Sequence, residues 1–259
     1  MQTSGRSQLA LPHLSPTLLK KQMHACAFAL VSLLGLGCVA SKPIPGVIQA
    51  KPGEQLESIS GPTISLGPFN NPSDAIQAAC PFILNLPHAT AGKPTGENFL
   101  LRWQLSQEYC AWIYYTPEHK YEMSMLTTGK VQDDPKKRSC GLPATVSDSR
   151  YPPASLGYLF AVHNHPYESI LSDDDIQFIV DMAVKHGLSF TTDKGQIPIS
   201  IIAFYTQSDE SPLSCDGFFQ YIPGTGELLK WTNSQDHWGK RIIGRVIWTS
   251  ATTYRIDNP

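Results

Sequence analysis

The chain has 259 residues, is 41% hydrophobic and 16% charged, and carries a formal net charge of −2. That length allows one domain with a real core plus a targeting segment, and the composition excludes a disordered chain. The near-neutral balance argues against a nucleic-acid partner, and 21 prolines with 19 glycines favour short elements joined by loops over a helical bundle.

Residues 1–21 are mostly polar and end in Lys20-Lys21; the apolar run Ala25 to Gly37 follows. It has the length of a signal-peptide core and is too short to span a bilayer comfortably. The run meets Gly37-Cys38-Val39-Ala40-Ser41, an order that resembles a bacterial lipobox. The resemblance implies cleavage before Cys38 and acylation of its thiol; an ordinary small-residue cleavage site at the same place is the alternative. Both readings make residues 1–38 a signal peptide with its lipobox-like end at Cys38 and the mature chain exported; a buried N-terminal helix is the third reading of the same run. The mature chain is expected in the bacterial cell envelope, as an outer-membrane lipoprotein held by its lipid anchor or as a periplasmic or secreted protein. Cys80, Cys110, Cys140 and Cys215 then remain, and in an oxidising compartment they could form two disulfides with three connectivities. No Cys-x-x-Cys spacing links them, which argues against a zinc site of their own.

Residues 39–68, rich in Pro, Gly and Ser, read as a tether, and 69–259 as the domain. Ser73 is the expected N-cap of a helix carrying Ala75, Ile76, Ala79, Cys80 and Ile83, which Pro81 should kink or end. Residues 87–97 read as a loop. The next segment runs from Phe99 to Tyr115, and its later part, from Glu108, is dense in aromatic and β-branched residues, as strands are. A polar turn at 116–120 and the alternating Tyr121 to Leu126 complete a hairpin. Residues 128–154 read as a polar loop, Leu156 to Val162 as a strand, Ser172 to Gly187 as a capped helix and Pro198 to Tyr205 as a second apolar strand. A hairpin over 217–231, turning at Pro223-Gly224-Thr225-Gly226, and a strand from Ile242 to Trp248 close the list. The fold class expected is α+β, a mixed sheet flanked by helices.

The chemistry concentrates where the first apolar strand gives way to the helix. His163 and His165 stand two residues apart at the strand end, so period-two alternation puts both imidazoles on one face, and Pro166 stops the ladder after them. Ser172 and Asp175 have the form of a helix cap with an acidic first turn. Two His and one Asp also make three ligands of a Zn2+ site that keeps a position open for water, the arrangement of a catalytic zinc. A general base must come from elsewhere in the chain.

His163-Asn164-His165-Pro166 followed by Ser172 and Asp175 resembles the motif of the JAMM (MPN-type) metallopeptidases. The resemblance implies a JAMM/cytidine-deaminase-like architecture, zinc on His163, His165 and Asp175, and Ser172 hydrogen-bonding an oxyanion. It also implies a glutamate general base on the first strand of an upstream hairpin, a role that falls to Glu108, with Glu97, Glu118 and Glu122 as rivals. The activity implied is hydrolysis of a peptide or isopeptide bond in a protein or peptide substrate. Secreted bacterial JAMM-like domains occur in toxins and surface proteins, so an intercellular toxin is one expected role. The alternative is an MPN-like module that binds or assembles without catalysis.

Overall fold

The computed structural model describes residues 43–50, 54–129, 138–208, 211–234 and 237–258. Residues 1–42, which include the expected signal peptide and Cys38, lie outside them. The domain is α+β, with its core on both faces of one large mixed sheet.

Three strands carry the centre. β3 (Tyr109–Tyr115), β7 (Gly157–Asn164) and β10 (Ser200–Tyr205) are buried along their whole length. That is why they read as continuous apolar runs rather than alternating ones. β7 pairs antiparallel with β3 and parallel with β10. The parallel pair requires a crossover, which α3 (Asp173–His186) supplies together with the small hairpin β8 (Ser189–Thr192) and β9 (Gly195–Pro198). Beyond β10 the sheet continues antiparallel through β11 (Gly217–Ile222), β12 (Glu227–Ser234), β13 (His237–Trp248) and β14 (Tyr254–Asp257).

On one face Ile176, Ile179 and Ala183 of α3 join Trp112, Ala161, Ile201 and Ala203 in a single apolar cluster. The alternate residues Val162, Ile202 and Phe204 belong to the other face, where α1 (Pro72–Leu84) packs on β3, β7 and β10. A disulfide from Cys80 of α1 to Cys215, just before β11, fastens that helix to the sheet. The second disulfide joins Cys110 of β3 to Cys140.

Several expectations need correction. α1 starts at Asn71 as N-cap with Pro72 in its first turn, so Ser73 lies inside it. Pro81 does not end it: the buried face continues from Ala79 and Cys80 to Ile83 and Leu84, and that packing outweighs the proline's cost of about 3 kcal/mol. Phe99–Leu105 forms a separate helix, α2. The hairpin's returning strand is split into β4 (Tyr121–Met123) and β5 (Leu126–Thr128), both paired with β3.

The segment 39–68, expected as a tether, is partly built into the domain. β1 (Val47–Gln49) pairs parallel with β5 at the sheet edge. β2 (Ile59–Gly61) pairs with β6 (Val146–Asp148), a strand inside the supposed 128–154 loop, and Ile59 is fully buried. Asp148 and Arg150 of that region hold a buried polar cluster. Arg150 bonds both Asp148 and Glu122, and Tyr114 donates its hydroxyl to Asp148 (2.9 Å). Among the described residues no helix is long and apolar enough to cross a membrane.

Candidate metal centre

The site lies at the carboxyl end of β7, where the chain leaves the sheet for α3. His163 sits opposite Cys110 of β3 and Ala203 of β10. The backbone N–H of His165 still donates to Phe204 O (2.8 Å), which carries the extended register one residue past the strand. Both imidazoles therefore stay on one face, with ring centroids 4.9 Å apart, and His163 is only 3% exposed.

The opposite side of the site comes from the first turn of α3. Ser172 is its N-cap, and the cap is reciprocal: Asp175 N–H donates to Ser172 Oγ (3.2 Å) while Ser172 N–H donates to Asp175 Oδ2 (2.8 Å). The Ser172 hydroxyl also donates to Asp175 Oδ2 (2.7 Å). With Oδ2 held by the cap, Oδ1 faces His163 Nε2 at 3.3 Å, and Oδ2 lies 3.5 Å from His165 Nε2. One donor atom from each of His163, His165 and Asp175 falls within 4.8 Å of the others.

The remaining ring nitrogens are committed elsewhere. His165 Nδ1 lies 2.8 Å from Ser169 O, and a carbonyl can only accept, so Nδ1 carries a proton and Nε2 is the ring atom left to face a metal. For His163 the Ile202 carbonyl favours the protonated ring, while its Nε2 is buried without a hydrogen-bond partner. A buried orphan nitrogen between a second imidazole and an oriented carboxylate is what a metal ligand looks like, and an N,N,O set suits zinc. The residues present fit a metal ion of that kind.

Charge coupling follows from this packing. Burial would raise the Asp175 carboxyl, but the charges of His163 and His165 close to it hold it well below the usual carboxylate range. Burial would lower His163, but the carboxylate charge of Asp175 and then the charge of Glu108 push it up. Glu108 is raised: burial outweighs the opposing pull of His163 and His165, and Asp175 adds repulsion. A raised carboxyl beside a metal-ligand cluster suits a group that takes and returns a proton.

Glu108 lies immediately before β3 and lines two cavities with Ser172 and Asp175. Its rivals are elsewhere. Glu97 and Glu118 are exposed, and Glu122 is buried but bound to Arg150. The structure thus brings together Glu108, His163, His165, Ser172 and Asp175 from three stretches of chain. It gives Ser172 a different partner from the one expected, since its hydroxyl proton is committed to Asp175.

Sequence reasoning passed over two contributors. Asn164 turns to the other face, where its Nδ2 donates to Ala89 O (2.6 Å) and Gln107 O (3.0 Å) and its Oδ1 accepts from Tyr109 N–H (2.8 Å). These bonds bracket Glu108 in sequence, and Thr128 Oγ1 fixes the Glu108 carbonyl (2.9 Å). Arg138 stacks 4.6 Å from the Trp103 ring and donates to Trp103 O (2.6 Å) at the site's rim. The signal for Asn164 was in view: a polar residue between two strand-end histidines must face the opposite, buried side and find partners there.

Comparison of the chain with protein-family models, with curated proteins and with solved structures finds no match.

Proposed function

We propose that this domain is a zinc-dependent hydrolase of peptide or isopeptide bonds with a JAMM-like site, exported and lipid-anchored through Cys38. One observation carries the reading: His163, His165 and Asp175 converge with their donor atoms within 4.8 Å, beside the half-buried Glu108, which is none of the three and lines the same two cavities as Asp175. Zinc bound there would supply Lewis acidity, lowering the pKa of a water and polarising the substrate carbonyl. Glu108 takes the proton of the attacking water and returns it to the leaving amine nitrogen. Ser172 holds Asp175 in its ligating orientation, and Asn164 holds the segment that bears Glu108. Two disulfides support the exported setting.

The test is metal content with activity. The purified mature chain should carry about one zinc per molecule, and His163→Ala should lose it. Glu108→Gln should keep the zinc and lose hydrolysis of a peptide library by roughly 100-fold or more. Metal content unaffected by His163→Ala would overturn the site assignment. Hydrolysis undiminished in Glu108→Gln would remove the base. Zinc retained with no hydrolysis by wild type would favour a binding module.

A further inference from the structure

Two cavities flank the metal cluster, and they share Glu108, Ser172 and Asp175 as a common boundary. The one on the His165 side, about 450 Å³, is lined by Trp103, Tyr167 and the exposed Ile170. The one on the His163 side, about 230 Å³, has a different character. Leu142, Ala161, Phe178, Ile201 and the Cys110–Cys140 disulfide form its apolar wall, and Arg138, Ser139 and Asp174 join the polar side it shares with the other cavity. Ala161 precedes His163 by two residues on the same face of β7, so a small side chain stands where a larger one would fill the space.

The volume sets what can enter. A cavity of roughly 150 Å³ lined by Leu, Ile and Phe stays dry and holds benzene. The cavity beside His163 is larger, and its apolar wall gives a branched aliphatic or aromatic side chain a surface to pack on. A glycine-rich tail of the kind joined by an isopeptide bond would leave it empty and forgo the contact.

We propose that this cavity is a specificity pocket, and that the substrate is a peptide bond flanked by a bulky apolar residue rather than a glycine-terminated isopeptide. The proposal rests on the hydrolase reading. The side chain enters between Leu142 and Phe178, which places the neighbouring scissile carbonyl at the cluster, within reach of Glu108.

Zinc-loaded mature protein is assayed on blocked peptides of one common sequence in which each position in turn is Gly, Leu or Phe. At one position Leu or Phe should exceed Gly in kcat/KM by on the order of 10–200-fold. Leu142→Trp, a half-buried loop substitution that fills the pocket, should bring the Leu peptide down to the Gly level with zinc content unchanged. Phe178→Ala, which enlarges the pocket, should shift the preference towards larger residues, and serves if Leu142→Trp does not fold. Binding is read independently on metal-free protein, where N-acetyl-leucinamide should perturb the methyl resonances of Ala161 and Ile201 and N-acetyl-glycinamide should not. Hydrolysis without preference, or equal perturbation by both amides, would overturn the pocket and leave the hydrolase reading standing. A wild type that neither retains zinc nor cleaves any peptide would overturn the hydrolase reading itself, and the pocket with it.

Discussion

Ser172 offers a perturbation in which stability and metal binding separate. Its Oγ takes the Asp175 N–H and gives its own proton to Asp175 Oδ2. The first bond caps α3; the second aims a ligand. Ser172→Ala removes both. Loss of an N-cap side chain costs about 1 kcal/mol. Loss of an outer partner of a metal ligand costs roughly 10- to 100-fold in metal affinity. Ser172→Gly divides the two effects, because glycine is a tolerable N-cap and costs only a few tenths of a kcal/mol, yet supplies no hydroxyl to Asp175. The Ser172 N–H to Oδ2 bond survives in both variants, so the affinity loss should lie nearer 10-fold than 100-fold. Urea unfolding of the metal-free proteins measures the first quantity, and competition against a chromophoric zinc chelator measures the second. The expected pattern is alanine weakened in both and glycine weakened in affinity alone. Unchanged zinc affinity in Ser172→Gly would refute the argument that the cap orients Asp175. Affinity loss strictly proportional to stability loss across the two variants would refute it equally.

Asn164→Ala strands a buried N–H and two carbonyls, so it should destabilise the fold by about 2–4 kcal/mol in urea unfolding. Zinc should remain bound at permissive temperature while hydrolysis falls, because the support lost is that of Glu108 and not of the ligands. His186 at the end of α3 is stacked on Tyr158 at 3.9 Å with Nε2 2.7 Å from Ala144 O, and burial lowers its pKa from the ordinary 6.5 despite that carbonyl. With the folded value below the unfolded one, its contribution is complete above pH 6.5 and is lost as pH falls through the folded value, since the unfolded chain binds the proton first. The stability difference between wild type and His186→Gln should therefore shrink as pH is lowered below 6.5; a constant difference in unfolding free energy from pH 7 to pH 5 would contradict it.

The parts legible in the sequence are those whose signals are local. α3 announces both its ends: Ser172 with Asp175 three residues on, apolar residues at helical spacing, and Gly187, whose φ of +94° few side chains adopt. β7 and β10 are buried on both faces and so read as apolar runs. What was not legible depends on partners remote in sequence. β1 and β2 are three-residue strands in a Pro/Gly-rich stretch, and only β5 and β6, far along the chain, make them strands. α2 carries Phe99, Leu100, Leu101, Trp103 and Leu105 with no side-chain cap, so its apolar density is as consistent with a strand as with a helix. The disulfide pairing rests on the same long-range placement, with Cys80 meeting Cys215 because α1 packs on the sheet against β10, whose neighbour β11 follows Cys215.

The tripeptide His163-Asn164-His165 shows how alternation lets a few residues serve two faces at once. The histidines lie on the same face as Ala161, which packs against α3, and there they meet Asp175. Asn164 faces the side where α1 packs, and there it binds the loop after that helix and the start of β3. Glu108 belongs to that second connection by sequence, yet its carboxyl lines the cavity of the first. Glu108, the proposed base, is thereby positioned by a residue whose side chain never enters the site. A substitution at Asn164 should accordingly act on proton transfer rather than on metal retention, the opposite of a substitution at either flanking histidine. The same geometry explains why the cluster lies at the end of β7 and not within it. Further back the strand is flanked by β3 and β10 and covered by apolar side chains of α3, and from His163 on, before Pro166 closes the ladder, the first turn of α3 comes close enough to contribute its aspartate.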